Sequence, residues 1–252
     1  MRFLPSFKYR FRDCMFSMGV VILVMIVLTA LCYLGIVTFG SITRTDNSGE
    51  VIMETTTMNF SMPVAIFMFV LSIVSIREDM RLGIQNGAGR GTVFLANTAC
   101  MLVTSVVLNL AFFIVTAVWN QFDTGVYIVD FFGALYTGEP FFESLDDLAI
   151  SSAVLLALSV FLSALGTFTS LMYWRLNRLG KWIVSIGMGA AVILFIDVII
   201  RYKVVADLLG RLMGWVFLTP WNLVLSFVIL AAAFYVFSAL LVRRNSITAA
   251  TA

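Results

Sequence analysis

Six uninterrupted apolar runs, at 18–40, 59–76, 92–119, 148–173, 182–200 and 222–242, divide this chain of 252 residues. A hydrocarbon layer about 30 Å thick takes about 20 helical residues to cross, and the runs match that length. They are continuous rather than alternating, which excludes the strands of a membrane barrel. Pro63 stands near the outer end of the second run, where a missing backbone donor costs least. The remaining composition agrees: 61% of residues are hydrophobic, and only 16 basic and 14 acidic side chains are present. A soluble globule could not bury that much apolar surface, and a disordered chain has the opposite composition. The expected fold is all-α. It is a polytopic membrane protein with six transmembrane helices in a single domain over 1–252, with short interfacial and re-entrant helices.

Basic residues set the orientation. With the N-terminus in the cytoplasm, the inner segments hold Arg2, Lys8, Arg10, Arg12, Arg77, Arg81, Arg90, Arg175, Arg178, Lys181, Arg243 and Arg244. The outer segments hold Arg44, Arg201, Lys203 and Arg211. Such a bias places both termini inside. Tryptophan gives a separate check, since Trp119, Trp174, Trp182, Trp215 and Trp221 all stand at or beside an expected membrane edge. The long basic flank and the length of the first run mark a retained span rather than a cleaved leader.

Several kinds of chemistry are excluded. The chain has no histidine, so imidazole acid–base and nucleophilic catalysis is absent. Cys14, Cys32 and Cys100 are far apart in sequence and lack metal-ligand spacing. Cys32 and Cys100 lie in apolar runs and read as small buried hydrophobes. A net charge of +2 offers no broad basic face for nucleic acid. The Gly87-Ala88-Gly89-Arg90-Gly91 stretch lacks the Gly-Lys-Ser/Thr ending of a phosphate loop and follows no strand.

The segments between runs carry more information. Residues 3–13 mix aromatics with cations and suit an interfacial helix or a plain basic flank. After the second run, Glu78 and Asp79 at the start and Asn86-Gly87 at the stop frame a short helix over 78–86. Met80 and Ile84 share one face of it with Gly83 and Gly87, an apolar face that wants a partner groove, with Glu78, Asp79 and Arg81 around its rim. A second inner segment, Arg175 to Lys181 with Arg178 between, is strongly basic. Outside, 120–147 carries Asp123, Asp130, Glu139 and Glu143 among aromatics, either a cap against lipid or a mouth attracting cationic amphipathic molecules. Residues 203–219 have helical apolar spacing but are too short to cross, which suits a re-entrant or interfacial piece. Asp197 lies one turn before Arg201, and a local ion pair is its simplest account. In the fifth run, Gly187 with Ala191 and Ser185 with Gly189 form small-xxx-small pairs that admit a close helix neighbour.

This constellation resembles the membrane-spanning permease subunit of an ATP-binding-cassette (ABC) exporter, of the drug, peptide and polysaccharide type. The segment Arg81-Leu82-Gly83-Ile84-Gln85-Asn86-Gly87 with Arg90 and Thr92-Val93-Phe94 is similar to the coupling-helix segment of small Gram-positive permeases. Arg178-Leu179-Gly180-Lys181 and Arg243-Arg244 are also similar. The resemblance implies a coupling helix of Glu78, Asp79, Met80, Arg81, Leu82, Gly83, Ile84, Asn86 and Gly87. It implies a second cytoplasmic contact at Arg175, Arg178 and Lys181, while the outer mouth at Asp123, Asp130, Glu139 and Glu143 is read from those residues alone. Partners would be a cytoplasmic ABC ATPase dimer, a second permease chain and membrane lipid, with ATP and magnesium on the ATPase and no cofactor or enzymatic site here. The location would be the plasma membrane of a Gram-positive bacterium. A non-transporting sensor or immunity subunit shares this scaffold, and a secondary carrier is the third expectation.

Overall fold

A computed structural model describes residues 3–34, 36, 41–45, 51–59, 61–119, 126–129, 136 and 145–244. The first helix, α1 (Phe3–Tyr33), is continuous. Residues 3–13 are therefore the first three turns of α1 rather than a separate interfacial helix. Pro5 falls in the first turn, where no helical bond is lost, and neither glycine nor proline interrupts 6–18. Six further helices follow: α2 (Ser61–Gln85), α3 (Arg90–Trp119), α4 (Leu145–Arg175), α5 (Arg178–Arg201), α6 (Lys203–Leu218) and α7 (Pro220–Arg244). Of these, α1, α2, α3, α4 and α7 are long and apolar enough to cross a membrane. The fifth apolar run lies within α5, whose side chains are described only in part.

The helices pack around α4, which meets α2, α3 and α7, while α1 lies mainly on α3. Burial on every side explains why α4 has no polar face: Val154, Leu155, Ala157, Leu158, Ala164 and Leu171 are all buried. Where α2 crosses α4, Gly166 is the contact point. A Cβ there would lie 2.5 Å from the Phe69 carbonyl oxygen and 3.0 Å from Ser72 Cβ. Hydrogen bonds flank the crossing, as expected where lipid gives helices no hydrophobic reason to associate. Ser72 Oγ and Ser163 Oγ are 2.8 Å apart, Ser163 Oγ and Tyr235 OH 3.2 Å, and Ser170 Oγ donates to the Ile73 carbonyl at 2.8 Å. On the far face of α4, Phe161 stacks on Phe227 at 5.5 Å, and Phe168 meets Phe234 at 5.3 Å.

Two ends of the bundle can be told apart. At one, Ile76 and Met80 of α2 pack with Phe94 of α3, Leu171 of α4 and Val242 of α7, and Arg10 of α1 pairs with Asp79. The start of α1 and the end of α7 thus share this end, called inner below. At the other, Val154 of α4 packs with Leu223 of α7 and Val216 of α6.

The outer end also holds a small sheet, where the sequence suggested only loops. Strand β1 (Ser41–Thr45) pairs antiparallel with β2 (Val51–Asn59), and β2 pairs in parallel with β3 (Val126–Val129), Thr56 opposite Val126. Parallel strands need a long crossover; here it is α2 and α3, one out and one back. Asp123, Asp130, Glu139 and Glu143 lie outside the described residues.

The 203–219 piece is helical, as its spacing suggested. None of α6 is buried, and its apolar Val204, Leu208 and Leu212 are exposed, which suits a helix lying in an interface. Thr219 caps the next helix through its Oγ1, 3.3 Å from the Asn222 N–H, with Pro220 at the first helical position. Asp197 and Arg201 do form the local pair, with Arg201 Nε 2.8 Å from the carboxylate, in an exposed position.

Candidate functional site

The inner end gathers the residues singled out in the sequence around the turn joining α2 to α3. That turn is a Schellman motif. The Ala88 N–H donates to the Gly83 carbonyl at 2.8 Å and the Gly87 N–H to the Ile84 carbonyl at 3.0 Å. Gly87 has φ 70°, a left-handed conformation that a Cβ would strain. The Asn-Gly stop therefore ends the helix where expected. Its start does not exist: 78–85 is the last part of α2, so no separate coupling helix forms.

Continuity of α2 reverses one expectation. Met80 is 2% exposed and belongs to the core, so it does not face outward toward a partner groove. It completes a stripe of Val64, Met68, Ser72, Ile76 and Met80, four residues apart and all buried. Gly83 faces α3, where a Cβ would collide with Val93 Cγ2, so glycine is what lets the hairpin close. Ile84 is half-buried, while Glu78, Arg81, Leu82, Gln85, Asn86 and Gly87 are exposed.

Behind the hairpin an ion pair ties α1 to α2. Arg10 Nε lies 3.0 Å from Asp79 Oδ2, and Arg10 Nη1 donates to Asp13 Oδ2 at 2.8 Å. The Arg10 and Asp79 side chains are only 5% and 10% exposed, whereas Asp13 is 62% exposed. Burial penalises both charges, and their contact offsets that penalty. The pair lines a cavity of about 400 Å³ between α1, α2 and α3, with Asn97 and Gly83 also in its wall. Asn97 accepts from Ser75 Oγ at 3.3 Å. Asp79 had been placed on a rim; its actual partner is a cation one helix away. Sequence spacing could not pair positions 10 and 79, which meet only when α1 and α2 run antiparallel.

One turn deeper, Cys100 Sγ donates to Cys14 Sγ at 3.4 Å, both thiols free and fully buried. Far apart in sequence, they become neighbours because α1 lies on α3. A disulfide needs the sulfurs at about 2.05 Å, a short move from this contact. Diamide, an oxidant that accepts two electrons and two protons, is expected to link them. Peptide mass spectrometry should find Cys14 joined to Cys100 with loss of two hydrogens, and Cys14→Ser should abolish the species. Failure to cross-link at saturating, membrane-permeant oxidant would contradict the α1–α3 packing.

On the other side of the hairpin, α2, the end of α4 and the start of α5 enclose an open groove of about 850 Å³. Glu78 and Arg81 reach it from the expected coupling segment and Lys181 from the second basic loop, so the fold brings these two sequence segments together. Arg175 and Arg178 are exposed but do not line it. Tyr173 OH and Ser185 Oγ, 2.8 Å apart, join α4 to α5 beside the groove. Farther along α5, a Cβ on Gly187 or Gly189 would meet nothing within 4 Å, so among the described residues these two glycines have no close neighbour. Among the described residues, no group of three or more Cys, Asp or Glu side chains could hold a metal.

Compared with known proteins, the chain matches no family model, no curated protein and no solved structure.

Proposed function

We infer that this chain is the membrane-spanning permease subunit of an ABC exporter, driven by a separate dimer of cytoplasmic ATPase subunits. One observation carries the reading: the α2–α3 hairpin has a solvent-facing tip and a back locked into the bundle. Leu82, Gln85, Asn86 and Gly87 form the tip, and Arg175 and Arg178 are exposed at the same end of the bundle. Met80 in the core, Gly83 against Val93 and Asp79 against Arg10 fix the back. Force applied at the tip is therefore passed along α2 as a rigid rod, and into α1 through the ion pair. A packed interior shifts between discrete arrangements rather than deforming smoothly, which suits alternation between inward- and outward-facing states.

In this reading α5 makes the sixth crossing and both termini lie in the cytoplasm of a Gram-positive cell. ATP and magnesium are held by the ATPase, and this chain needs no catalytic side chain. The open face at Gly187 and Gly189 accepts a second permease chain. The acidic outer segment at Asp123, Asp130, Glu139 and Glu143 favours cationic amphipathic substrates such as peptides.

The test is purification of the tagged full chain from its own membranes. A nucleotide-hydrolysing subunit is expected to come with it. Leu82→Asp combined with Arg178→Glu, both exposed, is expected to release that subunit while the permease elutes unchanged. Absence of any such partner, or its retention by the double variant, would overturn the reading.

A further inference from the structure

The groove between α2, α4 and α5 has a graded wall. On α2, Phe69, Ile73, Arg77 and Arg81 succeed one another at four-residue intervals, so one helical face passes from apolar to cationic toward the inner end. Lys181 adds a third cation from α5, and Glu78 is the single carboxylate in the lining. None of the three cations makes an ion pair with another described residue. Tyr173 and Trp174 of α4 stand between the two halves, at the level where amphipathic rings sit at a membrane edge. Val74, in the apolar half, is 54% exposed, so the deep part of the groove is open.

We propose that this groove is a binding site for an anionic phospholipid from the inner leaflet. The phosphate sits among Arg77, Arg81 and Lys181, and an acyl chain lies along Phe69, Ile73 and Val74. Charge complementarity selects the headgroup: three cations with no ion-pair partner among the described residues line one groove, and a phosphate between them relieves their mutual repulsion. The apolar half selects a lipid over a soluble anion, since free phosphate leaves Phe69 and Ile73 uncovered. Long basic side chains reach headgroups while their stems cover apolar surface, which is the geometry of α2 at this depth. The inference does not depend on an ATPase partner. The hairpin tip at Gln85 and Gly87 lies outside the groove lining.

The experiment uses the purified full chain in a neutral detergent, with bound lipid counted by native mass spectrometry. Phosphatidylglycerol is expected to be retained, whereas phosphatidylcholine with the same chains and inorganic phosphate are not. In the variant Arg77→Gln, Arg81→Gln, Lys181→Gln, affinity for phosphatidylglycerol is expected to fall about tenfold or more. The variant Arg12→Gln, Arg211→Gln, Arg243→Gln removes the same charge from exposed sites outside the groove and should leave binding unchanged. All six positions are half-buried at most, so both variants are expected to fold; singles at Arg77 and Lys181 serve if the triple does not. Equal retention of phosphatidylcholine, equal binding of inorganic phosphate, or equal loss in the two triple variants would each overturn the proposal.

Discussion

Arg10→Ala is expected to destabilise the folded chain by about 3–5 kcal/mol, the cost of stranding a buried charge. Asp79 is the charge stranded. It is nine-tenths shielded from solvent, and its contact with Arg10 is the ion pair it makes among the described residues. The reverse change costs less. In Asp79→Ala, Arg10 keeps its 2.8 Å contact with Asp13, whose carboxylate is largely in solvent. The double change Arg10→Met with Asp79→Leu should recover most of the loss. A buried ion pair is worth little beyond a well-packed apolar pair, even though breaking one side of it is expensive. Unfolding curves of the four proteins in one detergent measure this ordering. Equal costs for the two alanine variants, or no recovery in the double, would show that the pair does not hold α1 to α2.

Gly166→Val is expected to separate α2 from α4. A Cβ at this position meets a backbone oxygen at 2.5 Å, and backbone cannot rotate away as a side chain does. Overpacking of a tight contact typically costs about 1–3 kcal/mol. Here the shift also pulls on Ser72–Ser163 and on Ser170 with the Ile73 carbonyl. Interhelical hydrogen bonds in membranes average about 0.6 kcal/mol each, so together they deepen the loss. The control is Gly187→Val on α5, where a Cβ meets open space. It should leave the unfolding of the single chain unchanged and, on the proposed reading, weaken association with a second permease chain. Thermal unfolding and cross-linking of both variants test the contrast. A stable Gly166→Val protein would mean that the α2–α4 crossing is wider than described.

Much of the inner site was legible in part. Asn86-Gly87 announced the end of α2, because a left-handed glycine after a helix is a local signal. Asp197 and Arg201 paired as their spacing said, because a four-residue interval needs only one helix. Met80 was misread because charge at Arg77, Glu78 and Asp79 suggested a new surface helix. The signal that could have placed it was the repeat from Val64 through Met68, Ser72 and Ile76, with neither glycine nor proline to interrupt it before Gly83. The hydroxyl and amide side chains inside the spans, Ser72, Ser163, Asn97 and Tyr235 among them, gave no local sign of their roles. A serine in an apolar run bonds its own helix or a neighbour with equal ease, and only the neighbour's position decides.

Sequence alone located helices long and apolar enough to cross a membrane, because hydropathy accumulates locally along about 20 residues and needs no knowledge of what packs where. It also placed α6 as a separate short helical piece over 203–219, through its apolar spacing. The tertiary structure decided everything that depends on which helix lies beside which. Arg10 reached Asp79, Cys14 reached Cys100, and Arg81 came to share a groove with Lys181. β3 also joined a strand on the far side of two helices. Nothing in an apolar helix names its neighbour at a distance. That choice is made where small residues such as Gly83 and Gly166 allow backbones to approach, and where a buried charge or hydroxyl must find a partner.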